Sequence, residues 1–200
     1  MEYRDLKEVA DRLMAHQGRV RGEKFKNHAS YIIQKEGREG LSAVESKINE
    51  LGYQFKFDDI RSLDWYPVGF SPLIIILAKN LFNWSDADVF DLGYMAPKFS
   101  FLFKMAFRWV VSIEKMAEES PSYWRKHYDF GEIEAVEINK EKKIVVARVS
   151  GFELDPVMCQ YLQGYILRML QYVIESQATI EESKCFYRGD DYDEFIIRWK

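Results

Sequence analysis

Apolar residues recur every three or four positions through much of the first 130 residues, the spacing that places them on one face of a helix. This pattern predicts helices over residues 2–15, 23–36 and 41–51, with Gly37 and Gly40 separating the last two. Residues 53–57 alternate apolar and polar side chains instead, which predicts a half-buried strand. The first half of the chain is therefore expected to be mainly helical.

Residues 98–116 are predicted to form an unusually apolar helix. Lys104, Arg108 and Lys115 make a narrow polar stripe, and aromatic and aliphatic side chains cover most of the remaining circumference. A helix of this kind packs inside a large domain or lines an apolar ligand pocket, and the pattern alone does not separate the two.

The spacing changes from helical to alternating after a helix that is expected to begin at Ser120-Pro121. The later pattern predicts strands at 131–138 and 143–149, a long helix from Pro156 to about Ser176, and strands at 178–187 and 192–199. This order predicts an α+β fold, in which an antiparallel sheet of two hairpins, with a long helix between them, packs against an N-terminal helical part.

The chain contains no internal repeat and no linker rich in Pro, Gly or Ser, so one main domain is expected. We expect an N-terminal helix or appendage over residues 1–22, followed by a single domain over 23–200. That domain would consist of a helical half, 23–128, and a sheet-and-helix half, 129–200.

Composition and charge exclude several classes of protein. The chain has 200 residues, 48% of them hydrophobic, which is enough for a substantial core. Its formal charge of −4 gives no positive field for phosphates, so no direct nucleic-acid partner is expected. No apolar run approaches the roughly 20 residues of a membrane span. Two cysteines and the lack of a signal-peptide pattern predict a cytoplasmic protein.

Two cysteines and two carboxylates in the last third of the chain form a candidate metal site. Cys159 lies at the start of the long helix, Glu182 and Cys185 lie near the end of the next strand, and Asp193 begins the final strand. They converge at one end of the sheet if the hairpin folds back on the helix start. Zinc accepts thiolates and carboxylates. The same pattern is also compatible with buried, metal-free cysteines or with a reversible disulfide.

Four sequence motifs in this region carry a resemblance to a known family. They are Gly131-Glu-Ile-Glu, Cys159 followed by Gln163-Gly-Tyr165, Glu182-Ser-Lys-Cys185, and Gly189-Asp-Asp-Tyr-Asp-Glu-Phe195. Together they resemble the 4-vinyl-reductase-like domain, which belongs to a superfamily with haem nitric-oxide-binding domains and the TRAPP vesicle-tethering subunits. The resemblance covers the last third of the chain well and the preceding helices more loosely.

The resemblance implies a structural zinc. Metal-binding members of the family hold zinc with a cysteine at the start of the long helix, a glutamate and a cysteine three residues apart, and a cysteine after the Gly-Asp turn. The first three ligands correspond to Cys159, Glu182 and Cys185, whereas Asp193 stands where the family has cysteine. Four protein ligands leave no open position for catalysis, so the metal would be structural. Haem is not expected, because no segment matches the pattern of the haem-binding branch.

The function implied by the resemblance is that of a small-molecule-binding sensory or regulatory domain. Its ligand would be a small hydrophobic or aromatic molecule held in an aromatic-lined pocket. The predicted wall consists of Phe103, Phe107, Trp109, Val110, Tyr161 and Tyr165. The protein would form a homodimer and act on a separate output protein, since the chain is no longer than the sensor fold itself.

The alternative is a protein–protein assembly module of TRAPP type, which would have no exchangeable ligand. The sequence contains no phosphate-loop, dinucleotide-binding or nucleophile-elbow motif. The lack of these motifs favours a protein that is not an enzyme, but it does not decide whether the protein has a catalytic activity.

Overall fold

The computed structural model of the protein describes residues 3–106, 112–174 and 176–200. The helices in these ranges are α1 (Tyr3–Met14), α2 (Glu23–Glu50), α3 (Phe70–Phe82), α4 (Asp86–Phe99), α5 (Phe101–Ala106), α6 (Ile113–His127) and α7 (Val157–Leu170). The strands are β1 (Arg19–Arg21), β2 (Trp65–Pro67), β3 (Glu132–Asn139), β4 (Ile144–Ser150), β5 (Ala178–Lys184) and β6 (Asp193–Trp199). Short 3-10 helices lie at Phe57–Asp59 and Phe186–Arg188.

The main sheet is antiparallel, with the strand order β3-β4-β6-β5. Its two hairpins, β3-β4 and β5-β6, join through the pairing of β4 with β6, in which Val145 lies opposite Ile197. Helix α7 connects the hairpins in the chain, contacts β5 and β6, and also packs against α4. The predicted α+β fold, with a long helix between two hairpins and a helical part beside them, is confirmed.

The crossing of α4 and α7 depends on two glycines. A Cβ atom on Gly93 would lie 2.0 Å from the backbone oxygen of Tyr161, and one on Gly164 would lie 2.0 Å from the backbone oxygen of Phe90. These distances are far inside van der Waals contact, so only glycine lets the two backbones approach this closely.

Helix α1 buries Leu6, Ala10 and Leu13 in the same hydrophobic core that includes α7 and the sheet. Strands β1 and β2 form a small second sheet, and Val20 of β1 also bridges to Tyr128 after α6. The N-terminal segment is therefore packed onto the rest of the chain. The division at residue 22 stays a prediction.

The strand predicted at residues 53–57 is wrong. Phe55 and Phe57 are buried, as the alternating pattern indicates, but no neighbouring strand pairs with them. The Asn49 side chain instead donates to the Phe55 backbone oxygen at 2.9 Å and accepts from the Phe55 N–H at 3.2 Å. The helices predicted before this segment join into α2, which has a kink at Gly37, where φ is 74°.

The continuous helix predicted over residues 98–116 is also wrong. Helix α4 ends at Phe99, and Ser100 has extended backbone angles before α5 begins. The Glu23 carboxylate accepts from Ser100 Oγ at 2.8 Å and from the Phe101 N–H at 2.7 Å, which satisfies groups that a continuous helix would pair internally. Ser112 then caps α6 by accepting from the Lys115 N–H, so Pro121 lies inside that helix.

In the part of the chain that the structure describes, no helix is both long enough and apolar enough to cross a membrane.

Replacing Gly93 or Gly164 with alanine is predicted to destabilise the protein. The added methyl group must push apart two helix backbones, which costs about 1–3 kcal/mol or more and outweighs the roughly 0.5–1 kcal/mol that alanine gains over glycine within a helix. Urea unfolding would measure the loss, with the exposed α2 variant Ser46→Ala as a control that stays within about 0.5 kcal/mol. Unchanged stability of both glycine variants would contradict the close crossing.

Candidate functional site

A small cavity lies between the start of α2, helix α6, helix α7 and the first residues of β3. Its volume is about 30 Å³, room for about two water molecules. The lining residues are Lys24, Asn27, Ser100, Ser120, Tyr123, Trp124, His127, Tyr128, Ile133, Tyr161, Leu162, Tyr165 and Met169. An aromatic wall with a few polar groups is typical of small-molecule sites.

Three tyrosines form the α6–α7 side of this cavity. The Tyr165 hydroxyl donates to the Tyr123 hydroxyl at 2.9 Å, and the rings of Tyr161 and Tyr165 stack with their centroids 6.1 Å apart. Burial raises the pKa of Tyr161 and of Tyr165 well above the ordinary tyrosine value. All of these hydroxyls therefore stay neutral near pH 7 and can donate hydrogen bonds.

Lys24 is the most unusual side chain in the cavity wall. Only 6% of the residue is exposed, and its Nζ atom lies 3.4 Å from the centroid of the Tyr161 ring. Among the described residues its amine has no carboxylate and no hydrogen-bond acceptor. Burial holds the pKa of Lys24 well below the ordinary lysine value. The cavity thus contains an amine whose charged form is costly and which, among the described residues, contacts aromatic rings and no carboxylate.

The neighbouring carboxylate, Glu23, connects three elements. Besides Ser100 and the Phe101 N–H, it lies 3.3 Å from Nε2 of His127 at the end of α6. His127 Nδ1 in turn lies 3.2 Å from the backbone oxygen of Tyr123. Glu23 therefore holds the start of α5 and the end of α6 against α2, on one side of the cavity.

A second cavity of about 40 Å³ lies next to the first, between α6, α7 and the sheet. The two cavities share Ser120, Ile133 and Met169 in their walls. Apart from Ser120 and the edge residue Glu134, the second wall is apolar. It consists of Ile113, Met116, Ala117, Ile133, Ala135, Val145, Ala147, Ile166, Met169, Leu170 and Ile197.

The residues predicted to line a pocket have different locations. Tyr161 and Tyr165 line the first cavity, whereas Phe103 is buried beside it, with its ring centroid 5.8 Å from that of Tyr123. Phe107, Trp109 and Val110 lie outside the described residues. A ligand-binding role for all six stays a prediction.

The sequence interpretation missed the contribution of α2 to the cavity. Lys24, Asn27, His28 and Tyr31 are spaced at i, i+3, i+4 and i+7, and all four are buried. This spacing defines a second buried face of α2, with polar residues at its cavity end. The spacing was visible in the sequence, but polar residues at these positions are typical of a solvent-exposed face.

The four residues of the candidate metal site do converge. One ligand atom from each of Cys159, Glu182, Cys185 and Asp193 lies within 4.8 Å of all the others. The two sulfur atoms are 3.7 Å apart, and the Glu182 Oε1 atom is buried without a hydrogen-bond partner in the described part of the chain. The other carboxylate oxygen, Oε2, accepts from Arg188 at 2.8 Å.

The environment of this cluster suppresses negative charge. Burial raises the pKa of the Cys159 thiol, and the carboxylates of Glu182 and Asp193 raise it further. Burial also raises the pKa of Asp193, although the Phe186 N–H donates to it at 2.9 Å and acts in the opposite direction. Without a bound cation, Cys159 therefore stays a protonated thiol.

Solved structures of H-NOX proteins share this fold. An H-NOX protein from S. oneidensis in the Fe(II)NO ligation state has a TM-score of 0.66 and 14% identity, with 90% of this chain and 99% of that chain covered. An oxygen-binding H-NOX domain related to soluble guanylate cyclases, in its oxygen complex, has a TM-score of 0.62 and 12% identity, with 88% and 92% covered. A structure that probes heme distortion in the H-NOX family has a TM-score of 0.64 and 12% identity, with 90% and 95% covered.

At these identities the comparison establishes the fold and no closer relationship. No protein-family description and no characterised protein matches the sequence. The 4-vinyl-reductase-like label that the sequence resemblance gave is not confirmed.

The comparison corrects the cofactor expectation. The sequence favoured a structural zinc and did not lead us to expect haem, whereas the solved proteins that share the fold are described by iron ligation state and by heme. The expectation failed because it depended on a ligand pattern in the last third of the chain, while the overall fold is that of H-NOX proteins. The comparisons also give no support to the TRAPP-type alternative.

Lys24→Met is predicted to stabilise the protein at pH 7. The variant keeps an apolar stem of similar length and removes a buried amine without a hydrogen-bond partner, worth about 1–3 kcal/mol. Folding lowers the pKa of Lys24, so below pH 10.5 the unfolded wild type binds more protons than the folded wild type. The free energy of unfolding of the wild type, relative to that of Lys24→Met, therefore increases as the pH rises towards 10.5.

Thermal unfolding of both proteins between pH 7 and pH 10 would measure this effect. The exposed lysine of the same helix provides a control, Lys26→Met, which should change neither the midpoint nor its pH dependence. A Lys24→Met protein less stable than the wild type at pH 7 would show that the amine has a stabilising partner.

The thiol of Cys159 is predicted to react slowly in the folded protein. Burial and the raised pKa together remove the thiolate that alkylating reagents attack. Alkylation by iodoacetamide at pH 8, located by peptide mass spectrometry, should be at least about tenfold slower at Cys159 in the folded protein than in urea. Equal rates in the two conditions would contradict the described environment.

Proposed function

We propose that this protein is a small-molecule-binding sensory domain, and that its ligand occupies the aromatic cavity between α2, α6 and α7. The observation that carries the proposal is the cavity itself, an apolar and aromatic space whose wall includes a buried amine with no hydrogen-bond acceptor among the described residues. Sites that only complete a core are filled by side chains and seldom retain such a group.

The fold supports the same function. The solved proteins that share it are described with small molecules bound, nitric oxide in one and oxygen in another. In an α+β domain of this kind, a ligand between α6, α7 and the sheet touches elements from both halves of the chain. A ligand that binds one arrangement of these elements more tightly would shift the protein towards that arrangement.

Haem, the group described for several proteins with this fold, needs its own test of fit. The cavity wall contains side chains of the types that haem iron accepts as axial ligands, a histidine, a methionine and tyrosines. A cavity of about 30 Å³ has, however, room for about two water molecules, far less than a porphyrin needs. The described residues in this arrangement do not fit a haem, and the proposal takes no step through one.

Transmission of the signal through a homodimer to a separate output protein is part of the proposal. Phe101 and Met105 on α5 are 67% and 56% exposed, and exposed apolar side chains of this size favour a protein contact. Helix α5 begins where Glu23 binds the Phe101 N–H, so a movement at the cavity reaches this surface directly. Light scattering with and without ligand measures the oligomeric state.

The proposal is tested by titrating the protein with small molecules in a calorimeter. The panel contains pyrrole, butan-1-ol and butyrate, whose size suits the two cavities, and hemin is followed separately by its absorbance. We expect saturable binding of at least one panel member. The variant Ser120→Leu should abolish this binding, because Ser120 lines both cavities and leucine would fill them.

Ser122→Leu provides the matched control, since Ser122 lies on the same helix and lines neither cavity. It should bind like the wild type. The proposal fails if no panel member binds the wild type, or if Ser120→Leu and Ser122→Leu bind the same ligand equally well.

A further inference from the structure

The polar groups of the two cavities are distributed unevenly. The first cavity contains the Lys24 amine, the Asn27 amide and several tyrosine hydroxyls, whereas the adjoining second cavity is almost entirely apolar. The boundary between them is formed by Ser120, Ile133 and Met169. A single ligand that occupied both spaces would therefore need one polar end and one apolar end.

The groups at the polar end are mainly hydrogen-bond donors. A lysine amine donates up to three hydrogen bonds when protonated, and a tyrosine hydroxyl and an asparagine amide add further donors. Lys24 Nζ lies 5.7 Å from the centroid of the Tyr128 ring, and Asn27 lies one helical turn beyond Lys24 on α2. The complement to such a set is a group that only accepts hydrogen bonds and carries negative charge.

The nearby acidic residue is already engaged elsewhere. Glu23 binds Ser100, the Phe101 N–H and His127, and is not part of the cavity wall. The buried histidine nearest in sequence, His28, binds Ser71 through Nε2 at 3.0 Å. Neither group pairs with Lys24, so among the described residues its amine contacts only the aromatic rings of Tyr161 and Tyr128.

We propose that the ligand is a small monocarboxylic acid, with its carboxylate bound by Lys24, Asn27 and Tyr128 and its apolar body in the cavity between α6, α7 and the sheet. This inference rests on the proposed function and specifies its ligand class. On binding, the carboxylate provides the charge that Lys24 lacks, and the buried amine takes up a proton to form a charge-assisted pair. The combined volume of about 70 Å³, from 30 and 40 Å³, suits an acid of a few carbon atoms.

The proposal is tested with two ligands that differ only at the polar end, butyrate and butan-1-ol. Calorimetric titration of the wild type should show that butyrate binds more tightly. In Lys24→Met the dissociation constant for butyrate should rise about tenfold or more, because a hydrogen bond between charged groups is lost, whereas that for butan-1-ol should change by less than about threefold. Lys26→Met should bind both ligands like the wild type.

A second variant tests the site without removing a charge. Tyr128→Phe keeps the ring and removes the hydroxyl, so it should weaken butyrate binding by a few-fold and leave butan-1-ol unchanged. The carbon-13 resonance of carboxyl-labelled butyrate should shift on binding to the wild type and lose that shift in Lys24→Met.

The outcomes separate this inference from the proposed function. The inference is overturned if butan-1-ol binds and butyrate does not, or if Lys24→Met weakens both ligands equally, and in both cases the cavity remains a small-molecule site. Absence of binding by every molecule in the panel overturns the proposed function together with the inference.

Discussion

The arrangement of the site depends on the carboxylate of Glu23. This buried group binds the Ser100 hydroxyl and the Phe101 N–H at the joint between α4 and α5, and it contacts His127 at the end of α6. A buried carboxylate is stable only when its hydrogen bonds are satisfied, so these elements are held in one arrangement. Glu23 is committed to these groups, and no carboxylate of the described residues pairs with the adjacent Lys24, whose amine lies on the Tyr161 ring. One side chain thus shapes the cavity and determines its electrostatic character.

The sequence predicts the sheet half of the fold better than the helical half, and the reason is the range of the interactions. The alternating patterns of β3, β4, β5 and β6 and the apolar face of α7 are local, and the structure has these elements close to their predicted bounds. The break at Ser100 depends on Glu23, which is 77 residues away in the chain. No local pattern contains such a contact, so an apolar segment was interpreted as one continuous helix.

The same distinction applies to the site. Tyr161 and Tyr165 were predictable because they lie on an apolar helix face, and the convergence of Cys159 with Cys185 followed from the order of helix and hairpin. Lys24 and Asn27 were not predicted, because polar residues on a long helix are normally solvated. Only the packing of α6 and α7 over that face of α2 makes them part of a cavity wall.

The glycine crossing of α4 and α7 has a mechanical consequence. With backbone against backbone at Gly93 and Gly164, the two helices have no side-chain layer that could absorb a small displacement. They must shift together as one stiff unit. Helix α7 carries Cys159 in its first turn, Tyr161 two residues later and Tyr165 about one turn beyond Tyr161. A displacement of α7 would therefore move the residues of the thiol cluster and of the aromatic cavity wall together. Because α4 packs directly on α7, it would move with them.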